Sequence, residues 1–317
     1  MDNSATPQSL PETLAGLTTA PAHPALAFLV DELVARHGEC VAGVLFYGSC
    51  LRSGDPFDGL VDLYLVVDDY RCANKGRLRA FWNRVLPPNV FYAEFPYEQH
   101  TVRCKYAVLS RTDLQKGTSK RWFHSYLWGR FSQPTAIART RDTALAREIS
   151  VCLAQAVITF LDRTLPCVAE TGDIESLWTQ ALGLSYRAEM RPESSGRAGE
   201  LAQANRDGYL RVTRAAAPAL APPLEVDADG HYSAQAKAVR QRLCRMGWRL
   251  RSVQGKLLSV ARLLKALFTF EGGLDYAAWK LERHSGQHIE VPERVRRYPL
   301  IFIWGLFWDL YRRGIFR

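Results

Sequence analysis

The chain has 317 residues, 47% of them apolar, and a formal charge of +9. That length fills one large domain or two ordinary ones, and the apolar share is enough for a core, which excludes an intrinsically unfolded chain. The positive balance points to an anionic partner, and its sign does not choose among a nucleotide, a nucleic acid and an acidic lipid surface.

Residues 1–24 open without a basic segment followed by an apolar core. Asp2, Pro7, Pro11, Pro21 and Pro24 predict a loose leader and a protein that is not secreted. Ala25 to His37 then reads as a helix, Gly43 to Tyr47 and Leu63 to Val67 as strands, and Lys75 to Val85 as a helix. Val90 to Phe95 and Cys104 to Ser110 are further strands bounded by turn residues, so 25–138 predicts a small mixed α/β unit. Within it, His124 and Trp128 are four apart and predict core packing on one helical face. From 139 to 251 apolar residues recur at helical spacing, as at Ile149, Leu153, Ala156, Val157, Phe160 and Leu161, with a break at Pro218 to Pro223. This predicts a helical second domain. Seven cysteines, at 40, 50, 72, 104, 152, 167 and 244, include no Cys-x-x-Cys pair and predict buried, reduced thiols.

The chemistry-bearing stretch is Phe46-Tyr47-Gly48-Ser49. Its glycine lets backbone approach a phosphate closely, and the N–H groups that follow can hold negative charge. Thirteen residues on, Asp62 opens the run Leu63-Tyr64-Leu65-Val66-Val67. Strand, Gly-Ser turn, spacer and strand aspartate form the pattern of a nucleotidyltransferase site, where the aspartate holds a divalent metal against a triphosphate. Such strands commonly carry two carboxylates at alternate positions on one face, and here the second position is Tyr64. An Asp62 that only caps a strand fits the same residues. For a second metal ligand the candidates are Asp55, Asp58, Glu94 and Glu189, with Glu94 and Glu189 preferred, and ion pairing is the alternative role for each. Arg187 and Arg191 flank Glu189 and either grip a phosphate or pair with that carboxylate.

Further motifs follow in order. They are Lys105-Tyr106-Ala107-Val108-Leu109-Ser110, then Trp122-Phe123-His124-Ser125-Tyr126-Leu127-Trp128-Gly129-Arg130-Phe131-Ser132-Gln133-Pro134, then Leu184-Ser185-Tyr186-Arg187-Ala188-Glu189-Met190-Arg191. With Tyr47-Gly48-Ser49 and Asp62, they resemble the mitochondrial-type phosphatidate cytidylyltransferases, the translocator-assembly-and-maintenance family, which has bacterial members. The likeness runs from about residue 43 to 195. Ala107 stands where that family has glycine, and Ala188-Glu189 where it has Gly-Asp.

The resemblance implies an α+β protein: a polymerase-beta-like nucleotidyltransferase domain with a mixed sheet, then a mainly helical, winged-helix-like domain. It implies transfer of cytidylate from CTP to phosphatidate with Mg2+, giving CDP-diacylglycerol and pyrophosphate. Asp62 would hold the metal, Tyr47, Gly48 and Ser49 the nucleotide, and Lys105 a phosphate oxygen as a point charge. The family tends to carry an apolar residue two places after its strand aspartate, so on this resemblance Tyr64 looks like a family trait.

Residues 252–317 are basic and amphipathic. Lys256, Ser259, Arg262, Lys265 and Thr269 recur every three or four positions and predict a helix with a basic stripe. The segment Pro299 to Tyr311, with Trp304, Phe307 and Trp308, is about 13 residues, shorter than the roughly 20 needed to span a bilayer. With Arg312, Arg313 and Arg317 it reads as an interfacial anchor on an anionic membrane, or else as a helix docked on the protein's own core. The expected place is cytoplasmic, peripheral on the inner face of the membrane. The Arg240 to Arg251 stretch reads as a solvated helix face. Two other functions stay open: nucleotidyl transfer to a different acceptor, and a non-catalytic lipid- or nucleic-acid-binding module. Aromatic residues cluster in apolar runs rather than alternating with basic ones, so no nucleic-acid partner is expected.

Overall fold

The first strands are nearly continuous apolar runs, and such runs belong in a sheet covered on both faces. In the computed structural model, residues 9–73, 76–189, 196–221, 223–269, 274, 278–279, 282, 289–297, 302, 305, 308 and 312 are described. The protein is mixed α+β. α1 (Ser9–Leu17) and α2 (Pro24–His37) precede β1 (Val41–Tyr47), α3 (Ser49–Ser53) and β2 (Val61–Val67). α4 (Tyr70–Ala73) and α5 (Arg77–Val85) lead into β3 (Asn89–Tyr97) and β4 (His100–Ser110), then α6 (Arg111–Thr118), α7 (Trp128–Phe131) and β5 (Thr135–Thr140). The five strands lie in the order β3-β4-β2-β1-β5, with β2 and β4 parallel and the other pairs antiparallel.

Alternation divides the sheet between two cores. Val44, Phe46, Leu63, Leu65, Tyr106 and Val108 pack with Leu26, Leu29 and Leu33 of α2. Leu45, Tyr64, Val66, Ala107 and Leu109 point the other way, into a core shared with the helical half. That half comprises α8 (Thr143–Thr164), β6 (Thr171–Asp173), α9 (Ile174–Ala188), α10 (Gly196–Ala204) and α11 (Arg206–Ala216). β7 (Glu225–Val226), β8 (His231–Ser233) and the long α12 (Ala238–Thr269) follow. β6, β8 and β7 form a small antiparallel sheet. The segment Thr143–Cys167 is long and apolar enough to cross a membrane, yet α8 is the middle of the second core, its Phe160 stacked on Trp178 at 5.3 Å. His124 and Trp128 are both buried, though only Trp128 is helical.

Three expectations are corrected. Within the 1–24 leader, α1 is an ordered helix whose Leu10 is fully buried, with Leu14 and Leu17 against the same core. Their i, i+4, i+7 spacing makes one apolar face, and Pro11 falls in the first turn, where proline is tolerated. Cys40 is bonded to Cys72 and Cys167 to Cys244, with Cα atoms 5.9 and 6.1 Å apart. Chain separations of 32 and 77 residues hid these meetings. Only Cys50, Cys104 and Cys152 are buried thiols, and burial pushes them up to about 11, 12 and 12.

The third correction concerns the C-terminal part of α12, where Arg262 and Lys265 of the predicted basic stripe face inward. Arg262 lies over the Tyr126 ring at 4.1 Å and its Nε donates to the Pro87 carbonyl at 3.4 Å. Lys265 is 8% exposed, and its Nζ donates to the carbonyls of Leu86 and Pro88 at 2.5 and 2.8 Å. Burial, aided by Arg262, pushes that ammonium down to about 7. Of the three predicted membrane cations on α12, Lys256 alone is exposed. Farther on, Trp308 and Arg312 are exposed, whereas Trp304, Phe307 and Arg313 lie outside the described residues.

Candidate functional site

β1 ends at Tyr47, and Gly48 turns the chain at φ +93°, ψ −161°, a conformation open essentially to glycine alone. The turn sets the start of α3 beside Asp62. A methyl group on Gly48 would stand 2.8 Å from Asp62 Oδ2, so the glycine is required twice, for its φ and for room. α3 has only five residues, so what the turn offers an anion is backbone N–H groups more than a helix dipole.

Sheet register does the rest. Asp62 pairs with Tyr47 on one side and with Lys105 on the other. All three side chains emerge on the face that carries Tyr64 and Leu45. Lys105 Nζ is 3.2 Å from Asp62 Oδ1. That oxygen is nevertheless buried and accepts no well-directed hydrogen bond from any described residue.

The turn, Asp62 and Lys105 line a cavity of about 280 Å³ together with Arg52, Arg130, Gln133, Pro134, Tyr186, Arg197 and Leu201. Among the described residues its charged lining is thus four cations and one carboxylate, an arrangement for a polyanion. The helical half contributes Tyr186 from α9 and Arg197 and Leu201 from α10, so the cavity lies between the two halves. Tyr186 is tied to Gln133, its hydroxyl donating to Oε1 at 3.0 Å, and Arg197 pairs with Glu200 at 2.9 Å.

Arg130 anchors the cavity floor. Its guanidinium lies over Tyr47 at 5.3 Å and over Tyr126 at 5.2 Å. Its Nε is buried and donates to none of the described residues. Tyr64 and Tyr126 meet hydroxyl to hydroxyl at 3.5 Å. Burial, then the Asp62 charge, pushes the Tyr47 phenol up to about 12, and burial likewise raises Tyr64. At Tyr126 burial works in the same sense, but Arg130 and Arg262 outweigh it and hold the phenol below its ordinary value.

Of the residues expected at a site, the structure brings Tyr47, Gly48, Ser49, Asp62 and Lys105 together and leaves the others elsewhere. Glu94 sits on β3 opposite Arg103, accepting from Tyr92 Oη at 2.5 Å and Arg103 Nε at 3.2 Å, outside the cavity. Asp55 and Asp58 lie in the loop before β2, away from the lining. Glu189 is buried and outside the cavity lining, its charge acting on His124, Tyr126 and Arg130. Arg187 is exposed, its carbonyl accepting from Ser252 Oγ at 3.1 Å, and Arg191 lies outside the described residues. Arg52, Arg130, Gln133, Tyr186 and Arg197 are the residues that sequence reasoning left without a role. Arg130, Gln133 and Tyr186 belong to the quoted motifs, the one signal that pointed at them.

Among the described residues no cluster of three or more His, Cys, Asp or Glu side chains could hold a metal. The buried Asp62 Oδ1, with lone pairs to spare, still suits Mg2+, which takes one or two carboxylates and completes its shell with waters and substrate phosphates. No protein-family model matches this sequence, and no curated protein matches it either.

Proposed function

We propose that the protein is a nucleotidyltransferase that moves cytidylate from CTP to phosphatidate at a membrane surface. On this reading the first half is a polymerase-beta-like domain and the second is winged-helix-like. The observation that carries it is the register of Asp62 with Lys105 opposite the Gly48-Ser49 turn, inside a cavity lined by four cations.

The chemistry asks little of the protein beyond placement and charge. A phosphate monoester has a second pKa of roughly 6, so its oxygen is largely ionised near neutral pH and needs no strong general base. That oxygen bonds to the α-phosphorus of CTP as the bond to the β-phosphate bridging oxygen breaks, releasing pyrophosphate. Mg2+, held through Asp62, neutralises triphosphate charge when bound. The Gly48-Ser49 N–H groups and Arg52 would hold the leaving phosphates, and Lys105 a phosphate oxygen. Arg130, fixed between two tyrosine rings, presents a cation that needs no reorganisation when charge shifts.

Incubating the protein with Mg2+, phosphatidate vesicles and each of the four nucleoside triphosphates, beside Asp62→Asn, tests this by mass spectrometry of the lipids. CDP-diacylglycerol from CTP, reduced at least ~100-fold in the variant, is the expected result. Among the described residues one carboxylate lines the cavity, which favours as second reading a non-catalytic anion-binding module. Nucleotide binding without any lipid product would select that reading.

A further inference from the structure

The outward face of α12 is apolar along most of its length. Val239, Leu243, Met246, Leu250, Val253, Leu257 and Val260 are between 45% and 67% exposed. Their alternating steps of four and three residues place them on one stripe, roughly 30 Å long at 1.5 Å per residue. The inner face is fully engaged. Trp248 Nε1 donates to the Arg163 carbonyl at 2.8 Å, Arg251 Nε to that of Phe123 at 2.8 Å, and Lys265 to those of Leu86 and Pro88. The stripe is therefore not a face that could turn inward by rolling the helix. An exposed apolar strip of this length marks an interaction surface.

Charge selects the occupant. From Ala238 to Thr269 there are eight Lys or Arg and no Asp or Glu. Four of the basic residues are exposed: Arg242, Arg249 and Lys256, spaced by seven, and Arg245, all along one flank of the stripe. A second copy docked on this face would bring like charges together with no acidic residue on the helix to answer them. An anionic bilayer answers both features, with acyl chains for the stripe and headgroups for the basic flank. α5, whose following carbonyls receive Arg262 and Lys265, adds exposed Phe81, Trp82 and Val85 and carries no acidic residue.

We propose that this outward face of α12, from Val239 to Val260, with α5 at its C-terminal end, is the surface on which the protein lies on an anionic membrane. The inference rests on the lipid-substrate reading only for the purpose of such a surface; the binding itself requires no nucleotide. It places the contact on a stretch that sequence alone assigns to a solvated basic face.

The full-length protein is to be co-sedimented, without nucleotide, with vesicles of phosphatidylcholine alone and of phosphatidylcholine with phosphatidylglycerol. Strong binding to the second and weak binding to the first is expected. The variant Leu243→Glu/Leu250→Glu/Leu257→Glu should bind at least tenfold more weakly while its melting curve and CTP binding stay unchanged, since these side chains touch solvent. Arg242→Gln/Arg249→Gln/Lys256→Gln should keep the fold and lose most of the preference for anionic lipid and its salt sensitivity. No wild-type binding to phosphatidylglycerol vesicles overturns the proposal. So does undiminished binding of the glutamate variant, which would move the contact to another segment. A wild-type dimer that this variant dissociates, with no vesicle binding, would also overturn it and make the stripe a self-association face. Vesicle binding with no cytidylyl transfer would leave this inference standing and sink the functional reading alone.

Discussion

Gly48→Ala separates the two demands that the β1–α3 turn places on its glycine. Holding an alanine at φ +93°, ψ −161° costs about 1–3 kcal/mol. Its Cβ would in addition stand 2.8 Å from Asp62 Oδ2 and 3.2 Å from Asp62 Cβ. Either the turn opens toward negative φ, carrying the Ser49 N–H away, or the carboxylate swings from Lys105. A displacement of about 1 Å at a reacting centre costs on the order of 100-fold in rate. Gly54→Ala is the matched control: it too has positive φ, +76°, but nothing lies within 4 Å of its would-be Cβ. Both variants should melt several degrees below the wild type, as a loss of about 1–2 kcal/mol implies. Only Gly48→Ala should lose cytidylyl transfer, by about 100-fold, measured at a temperature where both are folded. Equal activity in the two variants would refute the idea that this turn aligns Asp62. The stability half holds whatever the reaction.

Gly255 lets α12 approach the end of α9, where an added Cβ would run into the Ala188 carbonyl oxygen, a backbone atom that cannot step aside. Gly255→Ala should therefore destabilise by about 1–3 kcal/mol despite its gain in helix propensity. Gly247→Ala would set its Cβ 2.9 Å from a guanidinium nitrogen of the buried Arg251, a side-chain end that yields more readily than backbone, and should lose less than Gly255→Ala in the same urea titration. His124 accepts from the Tyr126 N–H at 3.1 Å, and burial, with Arg262 nearby and Glu189 opposing, pulls it down to about 4 from 6.5. Below pH 6.5 the unfolded chain takes up a proton that the folded chain refuses. Stability is thus full above that pH and falls by about 3 kcal/mol toward pH 4. Unfolding free energies at pH 7.5 and 4.5 should differ less in His124→Gln by that amount; an unchanged difference would remove His124 from the acid response.

The strands around the site were readable because β1 and β2 are nearly unbroken apolar runs and Gly48 interrupts the first. Asp62 and Lys105 could be singled out as residue types, but their pairing depends on the parallel register of β2 with β4, which alternation along either strand does not encode. Glu94 illustrates the limit. It lies on an apolar strand as expected, yet Arg103, directly opposite across the hairpin, claims it. β6, β7 and β8 are two or three residues long, too short for a period-two signal. Arg52 and Arg197 reach the cavity from elements 145 residues apart, a proximity that only the packing of the helical half on the sheet creates.

α12 shows why a correct period can still give the wrong side. Its sequence contains two stripes, one basic and one apolar, and solvation taken residue by residue sends the basic one to water, because burying an unpaired cation is costly. The chain after α5 reverses that balance. The carbonyls of Leu86, Pro87 and Pro88 accept from Arg262 and Lys265, some 175 residues later in sequence, and the Tyr126 ring supplies a face for the guanidinium. Once these cations are held by acceptors and an aromatic face, turning the helix over would strand three carbonyls and two cations to hide one row of leucines and valines. The apolar row is left outward for that reason. The same inward arginine that fixes the helix also closes the stack from Arg262 through Tyr126 and Arg130 to Tyr47, so the element that carries the exposed stripe is also the one that supports the floor of the Asp62 cavity.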